Sequence, residues 1–389
     1  MAFQRKPRSE WEPLFCTTLA TALTHLGETH PTTLATRGSF AFALAHDDAF
    51  AEALPLALDE FNVRRSIDGL GNVRTAKAAA LIGHLYSCLL QPTVASRWLR
   101  KAYMTQVTCL GPEHKATLTT LSQLAVARMR VGAPSQARPL WATILSSYER
   151  AFGADHINTL LMRLQLATTM MMDGDAQLAT SALLSLKTAF EARNDLYFLT
   201  AVHLNLGATH QHLGKTDDAL AYFGRALRDM PSKVSAWALY HMAVHAGAPA
   251  TDSLRLVRDY VVASDEDAPE TWPLCCMVCH TPIVGCVVAC AKCPQAIFTF
   301  CGRCYAQRPS RLTRFCRHDS SETEWTRTLP PRRFFYKEDL LATESTVYAD
   351  TEDLWGEYEA YCHTHKVPTS ERLPRTSVPG LSRGWHPML

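Results

Sequence analysis

The sequence has no long apolar run. Nowhere do about eighteen apolar residues follow one another, so no transmembrane helix is expected. The opening stretch, MAFQRKPRSEWEPLF, is basic but leads into no apolar core, so no secretory leader is expected either. Net charge is scarce: 39 Lys and Arg against 37 Asp and Glu leave +2, which gives no global attraction to nucleic acid or an acidic membrane. Enzyme signatures are missing as well. There is no phosphate-binding glycine loop, no G-x-S-x-G and no H-E-x-x-H. From about residue 20 to 250 the chain is poor in β-branched runs and rich in alanine and leucine, which favours helix throughout.

What is present is an ordinary globular balance over 389 residues, 47% hydrophobic and 20% charged, with room for two or three domains. Cysteine is distributed unevenly. Nine of the 13 cysteines fall between Cys275 and Cys316; the others are Cys16, Cys88, Cys109 and Cys362. Cys16, Cys88 and Cys109 sit in apolar, helix-like surroundings and read as core or near-core thiols. Dense clustering without a leader favours metal ligation over disulfides, and a reducing compartment, cytosolic or nuclear.

The helical part repeats. LGETHPTTL, LGPEHKATL and FGADHINTL place His30, His114 and His156 in the same setting, the last two 42 residues apart and the first two 84 apart. A weaker copy, GLGNVRTA, lies between, with Asn72 at the histidine position. Small residues keep the period of 42: Ala41, Gly83, Ala125 and Ala167, then Ala53, Ala95, Ala137 and Ala179. Small side chains recur where helix axes approach closely, because a helical hairpin cannot bury its apolar face alone and must stack on its neighbours. A helix is expected to start near Thr33, Thr117 and Thr159, with the threonine beginning or capping it and the histidine in the preceding loop.

A fifth copy, LGATHQHLGKTDDALAYFGRALRDMP, carries Gly207, Ala219, Phe223, Ala226 and Pro231 at offsets 0, 12, 16, 19 and 24. This resembles the tetratricopeptide repeat, and the 42-residue copies resemble the longer variant found in kinesin light chains. The resemblance covers residues 16 to 262, with five copies and a degenerate sixth helix pair from Val234 to Val262. It implies a mostly α fold, a right-handed solenoid of helix pairs, and a groove that takes a peptide or helix of a protein partner.

The cysteine module has its own logic. Cys276-x2-Cys279, Cys290-x2-Cys293, Cys301-x2-Cys304 and Cys316-x-His318 supply eight soft or borderline ligands, enough for two tetrahedral Zn2+ sites. A module of this size buries little apolar surface, so metal would supply most of its folding free energy. Four protein ligands per ion leave no open position, which makes the role structural.

With PIVG at Pro282 to Gly285 and Tyr305 after the third pair, the module resembles a ZZ-type zinc finger. Family cross-bracing implies Cys276, Cys279, Cys301 and Cys304 on one zinc, and Cys290, Cys293, Cys316 and His318 on the other. The chain departs from the family at Cys316, where histidine is usual, and at Met277, where members that hold protein N-termini carry a carboxylate. From Cys276 to His318 there is no Asp or Glu at all. A RING-type finger is also cross-braced with eight ligands and remains the rival reading.

The expected organisation is an extension over 1–15, repeats over 16–262, an acidic linker over 263–273, the finger over 274–325 and a partly helical tail over 326–389. The tail holds a basic stretch ending in RTLPPRR, read as a solvated surface, and CHTH at Cys362 to His365, read as surface histidines. The functional expectation is a non-enzymatic interaction adaptor, with one protein partner on the solenoid and another on the finger. No nucleic-acid or membrane partner is expected. The alternative is a ubiquitin-ligase component that recruits a conjugating enzyme through the zinc module.

Overall fold

In a computed structural model the described residues are 7–246, 251–263, 276–279, 283, 287–290, 299–307 and 325–328, with isolated positions 359, 360, 363 and 369. They divide into two compact units, Met1–Ala154 and Asp155–Leu389. Among them no helix is long and apolar enough to cross a membrane.

The first unit is a run of helices, each packed on the next: α1 (Arg8–Leu26), α2 (Pro31–His46), α3 (Phe50–Asp68), α4 (Val73–Cys88), α5 (Pro92–Leu110), α6 (Lys115–Arg130) and α7 (Pro134–Phe152). Helix α1 already begins at Arg8. Trp11 is buried there, and Arg8 pairs with Glu12 at 2.8 Å and with Glu52 of α3 at 2.5 Å. The second unit continues with α8 (Ile157–Asp173), α9 (Ala176–Ala192), α10 (Leu196–His212), α11 (Thr216–Asp229), α12 (Lys233–Ala246) and α13 (Thr251–Ala263). A three-stranded sheet follows, with β1 (Val287–Cys290), β2 (Thr299–Cys301) and β3 (Trp325–Thr328), and a short helix α14 (Gly302–Gln307) after β2.

The repeated small residues sit where the period places them. Ala41, Ala125, Ala167, Ala53, Ala95, Ala137, Ala179 and Ala219 are fully buried. Gly83 and Gly207 show why the position must be small. A Cβ on Gly83 would lie 2.6 Å from Leu99 Cγ, and one on Gly207 2.6 Å from the Phe223 ring. These are sites where one helix of a pair lies directly on the other.

The G-x-x-H signature is a stop and a start. Gly27, Gly69, Gly111 and Gly153 each end a helix with φ between 77° and 88°, a region open to glycine without steric cost. The next helix is then capped, and here the structure corrects an expectation. Threonine is not the cap. The histidine itself is the N-cap: Nδ1 of His30, His114 and His156 accepts from the backbone N–H of Thr32, Ala116 and Asn158 at 3.2, 3.1 and 3.2 Å. Asn72 does the same with Oδ1 toward Arg74 N at 2.8 Å, which explains its place in the weaker copy. Thr33, Thr75, Thr117 and Thr159 lie buried in the first turn instead. A second correction concerns the thiols. Cys16 and Cys109 are exposed, and only Cys88 of the three is partly buried. Cys109 Sγ donates to Gly71 O at 3.2 Å.

The sheet has the order β2-β1-β3, both pairs antiparallel, with Val288 opposite Phe300 and Arg327, and Cys290 opposite Trp325. Its core is not separate from that of the helices. One apolar cluster runs from Phe223, Leu227, Leu239, Met242 and Val257 through to Cys276, Ile283, Val288, Phe300 and Cys301, with Leu256, Tyr260, Met277 and Val278 packed against it.

Candidate functional site

Four thiols converge at one end of the sheet. A turn carries Cys276 and Cys279, and Met277 N donates to Thr299 O at 2.9 Å, which ties that turn to the start of β2. Cys301 ends β2 and Cys304 lies in α14. The four Sγ atoms all lie within 4.8 Å of one another, and Cys279 Sγ is 3.8 Å from Cys301 Sγ. Cys276 and Cys301 are buried, while Cys279 and Cys304 are half-buried. Aromatic rings back the site: Trp325 meets Phe300 edge-on at 5.7 Å and Tyr305 at 5.4 Å.

The four thiols perturb one another. The Cys276 thiol is held down at about 5 by a hydrogen bond from Cys301 and by backbone N–H groups of Cys279, Cys301 and Val278, against the opposing effect of burial. Cys301 is pushed well up by that same bond to Cys276 and then by burial. Cys304 is pushed up to about 12 by burial and by the Cys276 charge. One thiolate therefore suppresses its neighbours. Four sulfurs this close become thiolates together only around a metal ion, and sulfur donors select a soft or borderline one. The residues present fit such an ion.

Of the second predicted set, Cys290 is buried at the end of β1. Cys293, Cys316 and His318 lie outside the described residues, as do most of the PIVG segment and the CHTH fragment.

The repeats present a second surface. In the first unit α2, α4 and α6 approach one another directly, as the leading helices of successive pairs. On α4, Lys77, Leu81, His84 and Cys88 form one stripe at helical spacing. Across to α6, Gln123 Nε2 is 3.4 Å from His84 Nδ1, and Arg130 Nη1 donates to Ser87 O at 3.1 Å. Toward α2, His46 lies close enough to His84 to lower it further, after burial, and the exposed Phe42 ring meets His46 edge-on at 4.5 Å. The α4 stripe therefore faces both neighbours, His46 of α2 and Gln123 of α6. Sequence reasoning assigned none of its residues. The available signal was the position just after each small residue, which yields Phe42, His84 and Val126 in register.

In the second unit, α10 turns two buried histidines toward α11. His203 Nδ1 lies 3.0 Å from Asp229 Oδ2 and His210 Nδ1 lies 3.2 Å from Asp218 Oδ2, with Tyr222 against both rings. Nothing in the sequence pattern marked these either.

Comparison with known proteins agrees with the repeats. The tetratricopeptide repeat family model matches residues 117–158 and 204–229. No curated protein matches the chain. Among solved structures, the nearly identical TPR-like repeats of a Podosopora anserina kinesin light chain align at 20% identity over 49% of this chain and 91% of theirs, TM-score 0.45. BtubC from P. vanneervenii aligns at 15% over 59% and 91%, TM-score 0.46. YrrB, described as a TPR protein with an unusual peptide-binding site, aligns at 16% over 55% and 93%, TM-score 0.40.

Proposed function

We propose that the chain is a zinc-stabilised interaction adaptor that holds a peptide segment of a protein partner on the face of α2, α4 and α6. The observation that supports this reading is the approach of the three leading helices to one another, with His84 of α4 beside Gln123 of α6. Such a face presents side chains at fixed spacing on rigid elements, which is what an extended or helical peptide needs to be read. Its mixture suits a ligand with both apolar and polar groups, since exposed Phe42 meets His46 on α2 and the neighbouring α4 stripe carries Lys77 and His84.

The four-thiol cluster is proposed as a structural Zn2+ site. With Zn–S bonds of about 2.3 Å, sulfurs in a tetrahedron stand about 3.8 Å apart, and Cys279 and Cys301 already stand 3.8 Å apart. Cys290, Cys293, Cys316 and His318 are proposed as ligands of a second ion. A partner on the finger itself is part of the same adaptor reading.

The test uses the full chain. Metal analysis by mass spectrometry is expected to give two zinc ions, with Cys301→Ser losing at least one. On a peptide array, Gln123→Trp, which puts bulk beside His84 on the α6 part of the face, is expected to abolish binding without changing the helical circular dichroism. An array signal indifferent to Gln123→Trp would remove the peptide-face reading.

A further inference from the structure

His84 and Cys88 stand one helical turn apart on α4 and meet, with Cys88 Sγ 3.7 Å from His84 Nε2. Both are half-buried. The other ring nitrogen, Nδ1, faces the side-chain amide of Gln123 on α6 at 3.4 Å. That contact keeps Nε2 turned to the sulfur, as a partner behind a ligating histidine does. Burial lowers His84 and His46 lowers it further, so the ring is neutral and carries a lone pair for a cation.

Two donors serve one ion when their spacing fits it. With Zn–S of about 2.3 Å and Zn–N of about 2.1 Å, a tetrahedral ion sets sulfur and nitrogen about 3.6 Å apart. The α4 pair, at 3.7 Å, already stands near that spacing. More donors surround it. His46 is exposed at the end of α2, and its charge reaches His84. Asp48 acts on the Cys88 thiol, and Arg130, which donates to Ser87 O, acts on it in the opposite sense. Among the described residues only the finger thiols bring three donor atoms within 4.8 Å of one another. His46 therefore has to turn from the Phe42 ring to complete a set on α2 and α4.

We propose that His84, Cys88 and His46 bind a divalent ion of the zinc class, with a fourth position open to water or to a ligand from outside the chain. One thiolate with two imidazoles favours zinc, cobalt or nickel over magnesium or calcium. Binding releases the Cys88 proton to solvent, because the thiolate is the ligand. The site uses none of the finger cysteines. With three protein ligands, one of which must turn, it holds its ion less tightly than four thiolates do, so dialysis empties it while the finger stays loaded.

The experiment titrates the full chain, purified with zinc and dialysed, with Co2+, whose thiolate charge-transfer absorption reports a sulfur ligand. Uptake of one further ion with a new band is expected. Cys88→Ser is expected to abolish the band, and Cys109→Ser, which removes an exposed thiol of the same unit, to leave it unchanged. Gln123→Ala is expected to weaken uptake about tenfold or more, and His84→Gln and His46→Gln to weaken it further. If Cys88→Ser lowers the melting temperature, the unsubstituted chain decides: zinc is expected to protect Cys88, and not Cys109, from alkylation by iodoacetamide, read by peptide mass spectrometry. No further ion, a band that survives Cys88→Ser, or Cys88 alkylated equally with and without zinc overturns the site. Uptake unmoved by His46→Gln overturns the three-ligand set.

Discussion

Single side chains set the helix boundaries and tie stability to pH. His114 caps α6 through Nδ1, so His114→Ala leaves the Ala116 N–H without its partner. The expected loss is about 1 kcal/mol, read from the denaturant midpoint. His114→Asn is expected to recover most of it, because Asn72 makes the same bond at the equivalent place. The buried histidines act differently. Burial lowers His203 and His210, with Asp229 and Asp218 pulling the other way and Arg225, Lys187 and Lys215 adding to the lowering. A histidine lowered in the folded state binds its proton more readily in the unfolded chain. Its stabilisation is therefore present above about pH 6.5 and is lost as the pH falls below that. Each such histidine contributes a slope of at most about 1.4 kcal/mol per pH unit. Thermal melting is expected to drop between neutral pH and about pH 5, the acid end of the histidine range, and His203→Gln is expected to flatten that drop. A melting temperature independent of pH across this interval would contradict the buried neutral state. The caps show one limit of reading from sequence. The period exposed the histidine, but common N-caps are Ser, Thr, Asp and Asn, so the adjacent threonine drew the assignment.

At the scale of helices the period in small residues is the fold's most readable feature. Ala125 is fully buried at a crossing. Ala125→Leu is expected to force neighbouring rotamers apart and cost roughly 1–3 kcal/mol, measurable by chemical denaturation. The same change at exposed Thr119 of α6 is expected to cost little. Helix pairing was legible because each close approach excludes large side chains, and Leu99 over Gly83 and Phe223 over Gly207 show that exclusion directly. Helix faces were not legible to the same degree. Which stripe of α4 looks toward α6 depends on a helical phase that alanine-rich segments leave weakly marked. Lys77, His84 and Arg130 therefore became a surface only once Gln123 was seen beside His84. The grouping of Cys276, Cys279, Cys301 and Cys304 was available only through the cross-bracing that the resemblance to a ZZ-type finger implies, because CxxC spacing alone does not say which two pairs come together.

In the second unit the sequence suggests a finger held off by an acidic linker, yet its apolar residues and those of the last repeats form one cluster. Val257 of α13 and Phe300 of β2 are far apart in sequence, and neither has a pattern that names the other. That shared core gives the thiol site an influence beyond its own few strands. A solenoid's terminal repeat lacks a neighbour on one side and needs a cap to cover its apolar face. The finger, packed into the cluster of Leu239, Met242 and Val257, lies against the last helix pairs as such a cap would. If the cap's own fold depends on the ion proposed above, metal supply becomes a control on turnover. Chains made under zinc starvation would expose the α12–α13 end to proteases first, and their cellular half-life would track the free zinc concentration.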